Sequence, residues 1–438
     1  MFVSAYSLTK TNITQSIIGE LNTYLLSNYR KFVYTYNYNE IYDDMIGRST
    51  TLLTFGLLVT IVALCMQTAN SATFIVSSDG SYQSILEAVG KSSEGDRIVV
   101  KSGTYYENVD VHKKLMVIGL DTGGGKPVID AGGRGSGVVI SADGVLLQGF
   151  EIVNSGNSWK DAGIKIKSDT CVVGRNEIRD NEYGVVLDCA NENLLFNNTV
   201  CQNDVGISFY SSENCTVLNN VACNNTFSGF LLSNSKNNSL KRNNASWNHW
   251  SGFVLDECEG NLILDNVINF NENEGIWALR SSGNTFQGNG IRSNYIFGLR
   301  LYYSFTNVVM KNVVSGSLDG FSLENSNGNV FGGNDVLDND YGMYVDTSFN
   351  NKIFMNNFIN NVHGVYSWNS TSLWNYSEPK NYQYNNVPYK RRLGNFWSDY
   401  GGSDSFGDGL GDVPYVVIGF EKDLYPLMKP SNKYIIFV

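Results

Sequence analysis

Glycine recurs through the middle of this 438-residue chain with a beat that few folds can satisfy. Gly163, Gly184, Gly206, Gly229, Gly252, Gly275, Gly298, Gly320, Gly342 and Gly364 follow one another at intervals of 21 to 23 residues. Each opens an alternating run, as in Gly184-Val-Val-Leu-Asp188 or Gly320-Phe-Ser-Leu-Glu324, with apolar residues first and third after the glycine. That is the period of a strand, not of a helix. Asparagine pairs five residues apart keep the same beat: Asn193/Asn198, Asn214/Asn219, Asn238/Asn243, Asn261/Asn266, Asn284/Asn289, Asn307/Asn312, Asn329/Asn334 and Asn351/Asn356. A third asparagine follows in several units, at Asn203, Asn248, Asn271, Asn294, Asn339 and Asn361.

A unit this short cannot bury its apolar face alone, so it must stack on its neighbours. The repeat predicts an all-β fold, a parallel β-helix of ten or more coils about 4.8 Å apart. Residues such as Val185/Leu187, Ile207/Phe209, Phe253/Leu255 and Phe321/Leu323 should line its core. The asparagines read as ladders whose amides satisfy tight bends. The glycines read as positions just before the long strand, where the backbone, with positive φ, opposes a Cβ.

The ends depart from the repeat. Residues 1–44 are rich in Tyr and Asn, lack periodicity, and read as a leading arm or extension without an assigned function. Residues 45–72 hold a short apolar run, 50–66, preceded by Arg48 and followed by small residues. This fits either a cleaved secretory signal or a membrane anchor, and it places the rest outside the cytoplasm: secreted, periplasmic or on the cell surface. Residues 73–156 should cap the rod and begin the coils, with a short helix over Ser84–Gly90 stopped by its glycine. Residues 157–373 are the regular coils, 374–430 a loop-rich C-terminal cap, and 431–438 a tail.

Within that cap, Asp399, Asp404, Asp408 and Asp412 crowd a glycine-rich loop. Hard oxygen ligands of this kind suit Ca²⁺, and the alternative is a hydrogen-bonded turn that closes the rod. With 42 acidic against 31 basic residues, the chain carries a formal charge of −11, which argues against nucleic acid as a partner. Cys201 and Cys223 fall at near-equivalent places on adjacent coils, close enough for a disulfide or for stacked thiols. No Cys-x-x-Cys spacing suggests zinc.

Outward positions of the long strand, second and fourth after each glycine, form files along one face. In the later coils these hold Trp277, Arg300, Tyr302, Glu324, Tyr344, Asp346 and Tyr366. Aromatic rings beside hydrogen-bonding groups suit a sugar chain, and Trp277, Arg300, Tyr302, Tyr344 and Tyr366 are the candidate ligand-binding residues. Stacked aromatics that merely support neighbouring strands are the alternative.

The segments Asp79-Gly-Ser-Tyr-Gln-Ser-Ile85, Gly95-Asp-Arg-Ile-Val-Val100 and Gly103-Thr-Tyr-Tyr-Glu-Asn-Val109, followed by glycine-centred coils, resemble the pectin-lyase-like right-handed β-helices. Within these the chain is similar to NosD-type periplasmic copper-binding/CASH repeat proteins. The segments Gly394-Asn-Phe-Trp-Ser-Asp-Tyr400 and Asp408-Gly-Leu-Gly-Asp-Val-Pro-Tyr415 resemble those ending such domains in surface proteins of methanogenic archaea. The resemblance implies a right-handed helix and, by name, copper. Copper wants clustered His, Met or Cys, whereas His112, His249 and His363 are far apart in sequence. The Asn-Thr-Asp, Gly-His-Gly and Arg-Ile-Lys motifs of polygalacturonase-like relatives are absent from the rod. The expectation is therefore an exported, non-catalytic β-helix that binds polysaccharide or cell-surface glycan, or serves as a stalk. A polysaccharide lyase or glycoside hydrolase using Arg300, Glu324 and Asp346 is the first alternative, and a copper-binding maturation protein the second.

Overall fold

A computed structural model describes residues 71–417 and 421–437. The leading arm and the apolar run 50–66 lie outside the described residues.

Parallel strands stack coil upon coil into a 14-stranded sheet, a 12-stranded sheet and a third face of two six-stranded sheets. The third face divides at Asn244, which joins Val221 and Val267 only by isolated bridges. The register of the 12-stranded sheet aligns Val185, Ile207, Phe230, Phe253, Ile276, Leu299, Phe321, Met343 and Val365 in one inward column. All nine are buried, and Phe230 stacks on Phe253 at 4.5 Å. This chain of like-on-like contacts is the core that no single coil could build.

The repeat glycines are there for a different reason than a positive φ, which none of the ten shows. Gly275 lies inside the strand Glu274–Leu279 rather than before it. A Cβ there would stand 2.5 Å from Ile291 Cγ2 and 2.6 Å from the Gly298 carbonyl oxygen. Close approach of successive coils excludes the side chain. Positive φ belongs to the corners, at residues such as Asn197, Asn219 and Asn237.

The ladders form, with one coil re-registered. Asn220, not Asn219, joins the column Asn176, Asn198, Asn220, Asn243, Asn266, Asn289, Asn312, Asn334 and Asn356. Each amide donates to the carbonyl oxygen of the next. Cys215, not Asn214, holds the neighbouring column's place and donates its backbone N–H to Asn238 Oδ1 at 2.9 Å. Asn214 and Asn219 are corner residues with φ of 57° and 55°. Serines make a further ladder through Ser212, Ser235, Ser281, Ser304, Ser326, Ser348 and Ser370, with Cys258 in the serine's place in the coil between Ser235 and Ser281. Cys201 and Cys223 are register partners joined by a disulfide, with a Cα–Cα distance of 4.7 Å.

The N-terminal cap helix, α1, spans Ile85–Lys91, with Ser84 as N-cap and Ser92 as C-cap. Gly90 is inside it and stops nothing. At the other end Trp397 stacks on Phe358 at 4.5 Å and closes the last coil. Strands Lys380–Tyr384, Val387–Arg391 and Ile435–Phe437 form an antiparallel sheet beside it. The column through Asn356 continues to Asn395, whose backbone N–H and amide donate to the buried Asp423 carboxylate at 2.7 and 3.3 Å.

Candidate functional site

The 12-stranded sheet presents three outward columns over its later coils. Second after the glycines run Trp277, Arg300, Ser322, Tyr344 and Tyr366. Fourth after them run Leu279, Tyr302, Glu324, Asp346 and Trp368. The residue before each glycine forms a third: Glu274, Phe297, Asp319, Tyr341 and His363. The strand register passes over the glycine, so simple alternation does not reveal this last column.

Arg300 is the centre. Its Nη2 lies 2.8 Å and its Nε 2.9 Å from Glu324 Oε1, and its Nη1 lies 3.8 Å from Glu274 Oε1. The guanidinium also sits over Phe297 at 4.7 Å and Tyr302 at 5.2 Å, a cation–π arrangement. Glu274 is buried and accepts a 2.6 Å hydrogen bond from Ser251. Burial raises its pKa, and the serine and Arg300 work against that rise. Asp319 is 7 % exposed, in register between Phe297 and Tyr341, and its carboxyl makes no hydrogen bond. Burial first, then the Glu324 and Asp340 charges, push it up to about 7, with Arg300 opposing.

Beyond this centre Tyr344 stacks on Tyr366 at 5.3 Å, and Tyr341 meets both edge-on. Burial, with Asp346 next, raises the Tyr344 pKa. Trp277 keeps a buried indole N–H without an acceptor. The five candidate ligand-binding residues thus lie on one face. Of the candidate trio Arg300, Glu324 and Asp346, the structure pairs only the first two. Asp346 accepts from Thr347 instead, and Glu274 and Asp319 take the places beside Arg300. An early-coil cluster also escaped the periodicity: Lys160 lies 4.4 Å over both Trp159 and Tyr210 and 2.6 Å from Asp188. Its tryptophan and lysine come from the segment just ahead of Gly163, the first of the repeat glycines.

The four C-terminal aspartates do not converge. Asp404 accepts the Asp408 and Gly409 N–H groups, and Asp412 accepts from Ser403 and Ser405. Asp408 accepts from Leu410 and faces Arg391, while Asp399 accepts from Tyr415. These contacts describe a hydrogen-bonded turn. Among the described residues no group of three or more His, Cys, Asp or Glu side chains is placed to hold a metal ion. No helix among them is long and apolar enough to cross a membrane.

The sequence model of the family described as periplasmic copper-binding protein (NosD) matches residues 92–282 and 244–402. Among solved structures, the A-module of the Azotobacter vinelandii mannuronan C-5 epimerase AlgE4 aligns with a TM-score of 0.54 and 16% identity, covering 66% of this chain and 92% of that one. The Dettilon tailspike protein aligns with a TM-score of 0.57 and 15% identity, covering 67% and 68%. At these identities the likeness is one of fold. None of the curated proteins matches the sequence significantly. The residues do not fit the copper of the family's description. His249 Nδ1 is 3.0 Å from Glu272 Oε1, His363 stacks on Tyr341, and His112 lies beside Asp110 on another coil. Cys215 and Cys258 are buried thiols whose pKa values burial pushes up to about 12, far from the thiolate that Cu(I) prefers.

Proposed function

The chain belongs to the periplasmic copper-binding protein (NosD) family, and from that premise we propose that it works outside the cytoplasm as a β-helix that binds polysaccharide along the later coils of its 12-stranded sheet. Residues 45–72 direct its export, 73–156 cap the rod, 157–373 carry the binding face and 374–430 close it. One observation carries the reading. A guanidinium, a stacked tyrosine pair and hydrogen-bonding carboxylates share a single flat face, the combination that holds sugar rings by their apolar sides and their hydroxyls. A mannuronan C-5 epimerase shares this fold, and the Arg300 guanidinium would suit a polysaccharide that carries negative charge.

Titration calorimetry against a panel of acidic and neutral polysaccharides tests it. At least one should bind, and joint replacement of Tyr344 and Tyr366 by alanine should weaken binding about tenfold or more while leaving the fold intact. Binding that survives the double substitution moves the site elsewhere.

Asp319 favours a second reading, catalysis. A carboxyl poised near neutrality and free of hydrogen bonds can take and return a proton. It suits abstraction of the proton beside a uronate carboxylate, with Arg300 offsetting the charge that develops. Deuterium from solvent would then enter an acidic polysaccharide, or unsaturated ends would appear, and Asp319→Asn would stop both. Binding without either leaves the face non-catalytic.

A further inference from the structure

At the corner that leads into that face, the rod carries a stack of aromatic rings that ends in an open slot. The corner column is left-handed in every coil, through Asp180, Gln202, Asn224, Trp247, Phe270, Ser293, Gly316, Asp338 and Asn360. Small or polar residues hold this conformation at least cost, yet two successive coils place Trp247 and Phe270 there. Their rings stack at 4.3 Å and 18°, and they are 56 % and 45 % exposed. Phe227 and Trp250 stack alongside at 5.5 Å.

The stack stops because the next coil supplies Ser293 instead of a ring. The upper face of Phe270 therefore borders a recess of ≈ 420 Å³, lined by Phe270, Asn271, Glu272, Ser293 and Tyr295. That volume is in the range of small-ligand sites. Phe270 is its floor, Tyr295 a wall, and the polar groups at its rim are the Glu272 carboxylate, steadied by His249 at 3.0 Å, and the Ser293 hydroxyl.

We propose that this slot is a second binding site, for a neutral pyranose ring that continues the aromatic stack by lying on Phe270. A sugar ring offers the flat apolar face the floor demands and the hydroxyl donors that Glu272 accepts. A purely apolar occupant would make no use of the Glu272 carboxylate or the Ser293 hydroxyl. An acidic sugar would meet Glu272, the one ionised group lining the recess, on a chain whose formal charge is −11. The site lies at the corner leading into the Arg300 face, with Glu272 and Tyr295 two residues before Glu274 and Phe297, and it differs from that face in charge preference.

The test is calorimetry of the full chain with β-1,4-linked hexaoses of glucose, mannose and N-acetylglucosamine, and with a hexauronate as the acidic control. A neutral hexaose should bind. Phe270→Ala, which removes the floor, and Ser293→Phe, which fills the slot with the ring the stack lacks, should each weaken it by about tenfold or more. Tyr106→Ala, an exposed ring near the N-terminal cap that belongs to neither site, should leave that affinity unchanged. Ser293→Phe adds a ring at a position where the neighbouring coil already tolerates one, so it decides the matter if Phe270→Ala fails to fold. No binding by any neutral hexaose, retention of binding in Ser293→Phe, or preference for the hexauronate overturns the proposal.

Discussion

Asn219 and Asn220 are adjacent and chemically identical, and the structure gives them opposite duties. Asn220 Oδ1 accepts from the Asn198 backbone N–H and side-chain amide, both at 2.9 Å. Its own amide donates to the Leu195, Leu218 and Asn243 oxygens at 3.0, 3.1 and 3.2 Å. Asn220→Ala orphans two donors of Asn198 in a space closed to water. An orphaned buried donor costs about 1–3 kcal/mol, so the loss should be about 4 kcal/mol. Asn219 is exposed, has a φ of 55°, and makes no side-chain hydrogen bond in the ladder. Asn219→Gly keeps the left-handed conformation and should change stability by no more than about 0.5 kcal/mol. Urea unfolding followed by circular dichroism, with the slope checked for constancy, measures both. Equal costs, or the larger cost at Asn219, would refute the register of the ladder in this coil.

Gly275→Ala should destabilise by about 1–3 kcal/mol, because its Cβ meets backbone of the next coil. Gly90→Ala, in α1 with open space around it, should stabilise by about 0.5–1 kcal/mol in the same assay. Burial raises the Asp423 pKa from 3.8 to about 7, so the folded state holds this proton more tightly than the unfolded chain. Stability should then fall by about 4 kcal/mol as pH rises from about 4 to about 7. Asp319 adds to the same slope, and Asp423→Asn should remove the Asp423 share, as denaturation midpoints at pH 5 and pH 8 would show. Millimolar calcium should leave the melting temperature unchanged, since the loop aspartates are spent on N–H and hydroxyl donors. A rise that Asp408→Ala abolishes would instead establish the cation site.

The stack was legible because its marks repeat: Phe253 and Leu255 face inward in one coil for the same reason as Phe321 and Leu323 in another. The misplaced pair, Asn214 and Asn219, has a physical origin. Asparagine suits a left-handed corner and a buried ladder almost equally, so in that coil the corner residues imitated the rungs while Cys215 replaced one of them. The site was half legible. Alternation after the glycine exposed Trp277, Arg300 and Tyr344. Glu274 and Asp319 stayed hidden because they precede the glycine, where the register skips a residue. The residues that flank Asp319 in the sheet, Phe297 and Tyr341, are each a full coil away in sequence. The recess above Phe270 was hidden as well, since it is created by what Ser293 does not fill.

The asparagine column also gives the rod a sense of direction. Every amide in it accepts from the coil on one side and donates to the coil on the other, so each coil carries both halves of the same joint. A whole coil of 22 or 23 residues could be excised or duplicated and its neighbours would meet a matching surface. A coil turned end for end would set oxygen against oxygen. The run of donors ends at Asp423, whose Oδ2 accepts both the backbone N–H and the amide of Asn395 in place of a further asparagine. Like a zipper with one stop, the rod can vary in length from within, while its far end is chemically closed to extension.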